Sequence, residues 1–380
     1  NLLPVSPTNF QTFNAAYDYI KCGIDGPVTF NVANGPYNEQ LIMTAVPGAS
    51  SINTVTFNGN GSTINFLSTN TNERAVIKLD GADNIIFNNL VINALGTETT
   101  QYGFGVQLMN NADSNTINNC TIIINESSTS TNYAGIVMSA SATSAVGTGT
   151  ALCDFNTFSN NTITGGYYGI TNVGSTTEAN GNNKITNNII SDFYQYGIYV
   201  LGSFNLLVEA NQISRPNRAT VTTFFGIYYT SLSVNSTITR NKISNPFGGN
   251  LASTSTFNGI YFTGNDGFAA LENKVTNNLI YNITGSGDVY GIYNTSSDNV
   301  WYYHNTVVLD GLPAASTATS IVRGFYQTTV AGGIEFRNNN ISISRSGLAT
   351  KYCMYFATTT STISSNNNNF FIIFNLKLKG

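Results

Sequence analysis

Charge is scarce in this chain. Lysine and arginine number 15 and aspartate and glutamate 19, together 9% of 380 residues, against about 25% in an average soluble domain. The net charge of −4 provides no basic face for a polyanion, which excludes the electrostatic footprint of a nucleic-acid binder. His304 is the one histidine. Four cysteines, Cys22, Cys120, Cys153 and Cys353, show no CxxC pairing, so no zinc site is expected, and their separations specify no disulfide framework. No apolar run reaches the roughly 18 residues of a membrane span. A start without Met and without a leader is what a processed secreted chain shows, and the expected location is outside the cell or at its surface.

What is present is a hydrophobic share of 41% and an aromatic share of 12%, ample for a core, with Asn, Thr, Ser and Gly left to supply solubility. The phrase NNKITNNIISDFYQYGIYV (182–200) recurs along the chain with small changes. Stacked, it reads FNNLVI (87–92), INNCTI (117–122), FSNNTI (158–163), ITNNII (185–190), VEANQI (208–213), ITRNKI (238–243), VTNNLI (275–280), YYHNTV (302–307), FRNNNI (336–341) and ISSNNN (363–368). The fourth column is Leu90, Cys120, Asn161, Asn188, Asn211, Asn241, Asn278, Asn305, Asn339 and Asn366. A second column follows each: Gly105-Val106, Gly135-Ile136, Gly169-Ile170, Gly197-Ile198, Gly226-Ile227, Gly259-Ile260, Gly291-Ile292, Gly324-Phe325 and Cys353-Met354.

A period of this size decides the architecture. Short segments with β-branched residues at alternate positions suit pleated, half-buried strands. No coil can cover its own apolar side, so coils stack about 4.8 Å apart around one core. An Asn at each sharp corner accepts a left-handed turn, and its amide bonds the coils above and below. The predicted fold is all-β, a parallel solenoid of about twelve coils. The one stretch with helical spacing, SPTNFQTFNAAYDYIKCG (6–23), places Phe10, Phe13, Tyr17 and Ile20 on one face, with Thr8 or Asn9 as N-cap and Gly23 as stop. It is expected to cap the open end of the core. The expected segments are 1–23 (terminal segment and capping helix), 24–369 (solenoid) and 370–380 (a last strand or tail leading toward a further module).

The order SPTNFQTFNAAYDYI, GPVTFNVANGPYNEQLIM, INTVTFNGNGSTINF, VIKLDGADNIIFNNLVI resembles secreted right-handed parallel β-helix proteins of Bacteroidota. The NNxI and YGIY coils resemble the repeat of the pectin-lyase-like superfamily. The resemblance implies a right-handed parallel β-helix and an extracellular address. That superfamily holds pectate lyases, polygalacturonases, tailspikes and non-catalytic adhesins, so fold alone does not assign an activity.

Glycoside hydrolysis needs paired carboxylates. The Asp-Asp pair and Gly-His-Gly turn of the superfamily's hydrolases do not occur here. Asp113, Asp154, Asp192 and Asp288 are expected singly in different coils, and Asp80 with Asp83 reads as an Asp-Gly turn with an Asx hydrogen bond. A lyase would need a basic residue to take an α-proton. The region that offers one is Glu209, Arg215, Arg218, Arg240 and Lys242, with the insertion SRPNRATVTTFF. His304 falls in the column before the Asn ladder and reads as a polar substitute there. Binding has a more coherent signal. The residue after the second column becomes Tyr199, Tyr228, Tyr261, Tyr293, Tyr326 and Tyr355, which alternation turns outward as a strip suited to stacking on sugar rings. Inserted Gly/Ser/Thr-rich loops near 138–154, 214–224, 245–257 and 312–322 are the other expected contact surfaces.

The reading favours a non-catalytic surface protein acting in adhesion, glycan binding or as a structural component. Its expected partners are a polysaccharide or surface glycan, a copy of itself or other surface proteins. No cofactor or metal is expected. The alternative is a polysaccharide lyase on an acidic polymer, with Arg215, Arg218, Arg240 and Lys242 as its candidates.

Overall fold

The computed structural model describes residues 8–149, 152–175, 177–311, 320–346 and 350–373. The fold is the all-β parallel β-helix read from the sequence, with eleven or twelve coils and, among the described residues, one short helix. The chain divides into two compact units, Asn1–Ile189 and Ile190–Gly380. Within each, a coil contributes one strand to each of three parallel sheets, called A, B and C in chain order.

In the first unit, sheet A stacks Val28–Asn31, Val55–Asn58, Ile85–Asn88, Thr116–Asn118, Thr157–Ser159 and Lys184–Thr186. In the second it stacks Leu207–Glu209, Thr237–Thr239, Asn273–Thr276, Val300–Tyr303, Ile334–Arg337 and Ile363–Asn366. Registers align identical positions, Phe87 on Ile117 and Ile117 on Phe158 for example. The inward residues Phe87, Ile117, Phe158, Ile122, Ile163, Val106 and Ile136 are all fully buried. Each such side chain contributes about 1.5–3 kcal/mol when taken out of water. Stacking identical coils is therefore what turns a weakly apolar repeat into a core.

The helix spans Phe13–Ile20 and buries Phe13, Ala16 and Ile20. Thr12 is its N-cap, its hydroxyl accepting from the Ala15 amide at 3.0 Å. The expected Thr8 or Asn9 does not serve because the Glu39 carboxylate of the first coil accepts from the Phe13 and Asn14 amides at 2.8 and 3.1 Å. That contact fixes where the first orphan amides of the helix fall. Phe10 lies before the helix and packs edge-on against Phe30 at 5.6 Å. Phe13 covers Phe57, which continues the stack to Phe87 at 5.2 Å.

The corner from sheet A to sheet B carries the Asn ladder. In the second unit the Asn241 amide oxygen accepts from the Asn211 backbone and side-chain N–H groups at 3.0 and 2.9 Å. Its Nδ2 donates to the Val208 carbonyl and to Asn278 Oδ1, both at 3.0 Å. Asn278, Asn305 and Asn339 repeat the pattern. Asn161 and Asn188 form the rungs of the first unit. At Cys120 the thiol faces the Phe87 carbonyl at 3.7 Å, a weak copy of the amide donor, and burial pushes its pKa up to about 11.

Two features of this corner differ from the sequence reading. The left-handed residue is not the rung Asn but its predecessor: Asn89, Asn119, Asn160 and Asn187 in the first unit, then Ala210, Arg240, Asn277, His304, Asn338 and Asn367 in the second. The rung needs its backbone N–H aimed along the stack, and the tight reversal falls one residue earlier. His304 is thus an exposed corner residue at φ 56°. The last rung is Asn368, not Asn366: Asn339 donates to Asn368 Oδ1, and Asn368 Nδ2 donates to the Phe336 carbonyl. Asn366 instead lies in the strand opposite Arg337, because the pairing sets Ile363 against Ile334 and not against Phe336.

A second ladder, at the corner from sheet C to sheet A, has no counterpart in the sequence reading. Asn115 Oδ1 accepts from the Ile85 amide, Asn156 from Asn115 and Asn183 from Asn156, at 2.9, 2.9 and 2.7 Å. Its signal was in the text, as the Asn opening SNTI, FNTF and NNKI. Residues 374–380 of the expected terminal tail lie outside the described residues; the preceding strand, Asn369–Ile372, pairs with Asn340–Ile343.

Candidate functional site

Sheet C of the second unit stacks Tyr196–Leu201, Phe224–Thr230, Phe257–Thr263, Val289–Thr295, Ile321–Gln327 and Thr350–Phe356. Ile198, Ile227, Ile260, Ile292 and Phe325 point inward, fully buried. Alternation therefore holds from this column onward, and Tyr199, Tyr228, Tyr261, Tyr293, Tyr326 and Tyr355 lie half-buried on the outer face. Consecutive ring centroids are 5.2, 5.3, 4.6, 4.5 and 5.7 Å apart. The strip expected from the sequence is a continuous aromatic face.

A second outward column stands three residues earlier: Tyr196, Phe225, Asn258, Tyr290, Arg323 and Tyr352. Strict period two would put Tyr196 and Ile198 on the same side. The glycine between them breaks the alternation, and the paired register skips it in each of these strands. A Cβ at Gly259 would lie 2.5 Å from the Gly291 carbonyl oxygen and 2.7 Å from Ile280 Cδ1. Close backbone approach at this kink, not a left-handed φ, is what requires glycine there. The kink turns residues on both sides of the YGIY phrase outward, which pattern reading at fixed period misses.

The two columns interlock. Tyr196 packs edge-on against Tyr228 at 5.2 Å, and Tyr290 stacks on Tyr326 at 5.3 Å. Arg323 lies with its guanidinium 3.8 Å from the Tyr326 ring and 4.0 Å from the Tyr355 ring. It is 8% exposed, and its Nε has no hydrogen-bond partner. Asp288 accepts from the Tyr290 hydroxyl at 3.2 Å and from the Ile321 amide at 2.8 Å. Burial, then the neighbouring tyrosines, pushes the Tyr228 hydroxyl up to about 12. Burial likewise raises Tyr290 to about 12, Asp288 adding to the rise. Both hydroxyls thus stay protonated at neutral pH and can donate as well as accept.

The same positions in the first unit, Gln107, Val137 and Thr171, are fully buried. There the insertion after Met138 folds over the sheet, and Gln107 Nε2 donates to the Ser141 carbonyl at 3.0 Å. The insertion near 312–322 lies mostly outside the described residues.

The basic candidates are not brought together. Arg215 is fully buried. Its Nε donates to Pro246 O and its NH2 to Thr222 O, at 2.7 and 2.8 Å, and NH1 donates to Tyr194 O. Its ring neighbours are Phe247 and Phe224, at 4.9 and 5.3 Å. Burial lowers its pKa to about 9, Arg218 adding to the fall. Arg218, also buried, donates to Thr220 O and Asp192 O. Both arginines clamp loop carbonyls and have no open path to a substrate. Arg240 pairs with Glu209 at an exposed corner, and Lys242 is exposed on sheet B. Arg240 and Glu209 form an ion pair there, and the basic candidates do not converge on one site.

The acids also depart from expectation. Asp113 and Asp154, expected singly, are linked, Asp113 Oδ1 accepting from the Asp154 amide at 2.7 Å, and Asp83, expected to bond within its own turn, accepts through Oδ1 from the Asp113 amide of the next coil at 2.7 Å. Asp80 pairs with Lys78 at 2.9 Å beside Gly81, whose φ of +72° makes the turn. Among the described residues no group of three or more acids, histidines or cysteines is placed to hold a metal. None of the four cysteines is in a disulfide. Among the described residues no helix is long and apolar enough to cross a membrane.

No family model matches the chain, and no curated protein does. Solved structures do. A GH136 lacto-N-biosidase from Eubacterium ramulus aligns over 96% of this chain and 65% of its own, with TM-score 0.57 and 11% identity. The chain thus spans about two-thirds of that protein's length. A DFA-IIIase from Arthrobacter chlorophenolicus in complex with DFA-III aligns over 94% and 89%, with TM-score 0.54 and 12% identity. The periplasmic alginate epimerase AlgG aligns over 88% and 76%, with TM-score 0.51 and 11% identity. At such identities the likeness establishes the parallel β-helix fold and nothing finer.

Proposed function

We propose that this chain is a non-catalytic, extracellular glycan-binding or adhesive β-helix whose binding face is the outer side of sheet C between Tyr196 and Tyr355. The observation that carries the reading is the unbroken column of six half-buried tyrosines, with ring spacings of 4.5–5.7 Å. A glycan chain lying along such a column meets the edges of the stacked rings, with its hydroxyls against the protonated tyrosine hydroxyls. Arg323, buried among three tyrosine rings without an acid partner, adds one cationic point. Structural likeness to a lacto-N-biosidase and an alginate epimerase supports a carbohydrate as partner. The occupied guanidinium groups of Arg215 and Arg218 support the absence of a lyase base.

The test is retention of the purified chain on a panel of neutral and acidic polysaccharides, with chain cleavage followed in the same wells. Retention without cleavage is expected. Tyr228→Ala with Tyr261→Ala should weaken it by roughly tenfold or more, since each aromatic contact is worth about 0.5–1.5 kcal/mol beyond its area. Cleavage products would overturn the non-catalytic reading. Failure to bind any polymer would overturn the glycan reading.

A further inference from the structure

Among the described residues five arginines are buried: Arg74, Arg215, Arg218, Arg323 and Arg345. Four of them hand guanidinium N–H groups to backbone carbonyls. Arg74 donates to Thr71 O, Arg215 to Pro246 O and Thr222 O, Arg218 to Thr220 O and Asp192 O, and Arg345 to Ile283 O, Gly285 O and Gly311 O. Arg323 is the exception. Among the described residues it donates to no carbonyl, its Nε has no hydrogen-bond partner, and it joins no ion pair. The register places it outward on sheet C, between Tyr290 and Tyr352 of the adjacent coils. Its Cζ lies 3.8 Å from the Tyr326 ring centre, 4.0 Å from that of Tyr355 and 5.7 Å from that of Tyr290. Ring contacts at the shorter distances use the face of the planar guanidinium, whose N–H groups lie along its edges. Burial raises the Tyr326 hydroxyl, and the Arg323 charge offsets part of that rise. Asp288 stands beside Tyr290, and its two oxygens accept from the Ile321 amide and the Tyr290 hydroxyl.

A guanidinium stays protonated, and a buried charge without an opposite one is unfavourable. The tyrosine rings relieve part of that cost through their faces. What they lack is an acceptor in the plane of the guanidinium fork. An oxyanion supplies two at once, in the bidentate geometry that arginine forms with such groups. We propose that Arg323 is an anion-recognition point of the sheet C face, and that the glycan it selects carries carboxylate or sulfate ester groups. The proposal rests on the glycan reading of that face and adds its charge class. Arg323 belongs to the fifth of the six strands, and Tyr293, Tyr326 and Tyr355 form the column beside it. A substituent that reaches the guanidinium is therefore carried by a chain already lying against the tyrosines. The other members of the Arg323 column, Tyr196, Phe225, Asn258, Tyr290 and Tyr352, are uncharged. Recognition of the anion is thus confined to one end of the strip, and the remainder accepts neutral units.

The test compares polymers that share a backbone and differ in charge: polygalacturonate with its fully methyl-esterified form, and dextran sulfate with dextran. The whole chain should bind at least one anionic member about tenfold or more tighter than its neutral partner in about 50 mM salt. Screening should shrink that preference in about 500 mM salt. Arg323→Gln should abolish the preference while the neutral polymer binds as before and the urea midpoint is unchanged. Arg323→Lys keeps the charge but loses the fork, and should recover only part of the preference. Tyr228→Ala with Tyr261→Ala should weaken both members of a pair and leave their ratio unaltered. The pair that shows the preference separates carboxylate from sulfate. Equal binding within both pairs overturns the anion site and leaves the aromatic face standing. A preference that salt does not reduce in the parent chain, or that survives Arg323→Gln, does the same. Binding of none of the four polymers overturns the aromatic face itself, and the anion site with it.

Discussion

Asn241→Ala removes one rung of the ladder and takes the partner from three groups, the backbone N–H and a side-chain N–H of Asn211 and the Val208 carbonyl, while Asn278 Oδ1 keeps the backbone N–H of residue 241. Asn241 is fully buried, so bulk water does not reach them. A buried polar group stranded in this way costs about 1–3 kcal/mol. Three of them, eased by partial relaxation and by one water entering the void, predict a loss of about 3–4 kcal/mol. The assay is urea unfolding followed by the emission of Trp301, in the same unit. With a slope of about 2 kcal/mol per molar urea, the midpoint should fall by about 1.5–2 M. Ile243→Val, which trims one buried methyl two residues away, is the control and should cost about 1 kcal/mol. Asn241→Asp keeps the acceptor but turns the donor toward Val208 O and Asn278 Oδ1 into a buried negative charge. It should be at least as damaging as alanine at pH 7. If Asn241→Ala shifts the midpoint no more than Ile243→Val does, the ladder is an accessory to apolar stacking and the account is refuted.

Gly259→Ala should cost more than about 3 kcal/mol despite its small volume, because the new Cβ meets a carbonyl oxygen at 2.5 Å and a backbone atom in a packed core cannot give way cheaply; an urea midpoint equal to the parent's would refute this. Burial pushes the Asp113 carboxyl up to about 6, the Asp154 amide holding it down while the charges of Asp154 and Asp83 add to the rise. Its folded pKa lies above the unfolded value, so the native state binds the extra proton between about pH 4 and 6 and stability falls as pH rises through that window. Asp113→Asn keeps the acceptor for the Asp154 amide and should gain about 1 kcal/mol at pH 7 after allowance for solvent screening, with no gain at pH 3; calorimetry at the two pH values checks it.

The stack was legible because its physics is local and repeated. Asn, glycine and β-branched residues recur in step, and each coil meets the same demand, to hide one apolar side and satisfy one bend. The outward direction of Tyr199 and its five successors followed from a single alternation step beyond a buried Ile. Reading failed where more than one coil had to be known. Arg215 looked like a free cation in a polar insertion, yet three carbonyls from separate segments enclose it. Asp113 and Asp154 looked solitary because their contact spans 41 residues. ISSNNN matches the repeat with Asn366 in the ladder column, while the strand pairing moves the rung to Asn368.

By itself the sequence determined the solenoid, the inward columns and the placement of one aromatic column on an outer face, since all three depend on periods of two residues and of one coil. Tertiary structure decided which side chains share a surface. The kink at Gly197, Gly226, Gly259, Gly291 and Gly324 brought a second aromatic column beside the first. Strand register set Lys274, Trp301 and Glu335 in one row, although they are 27 and 34 residues apart in the chain. Such neighbours are fixed by the length of each inserted loop and the packing beneath it, and no local propensity records either.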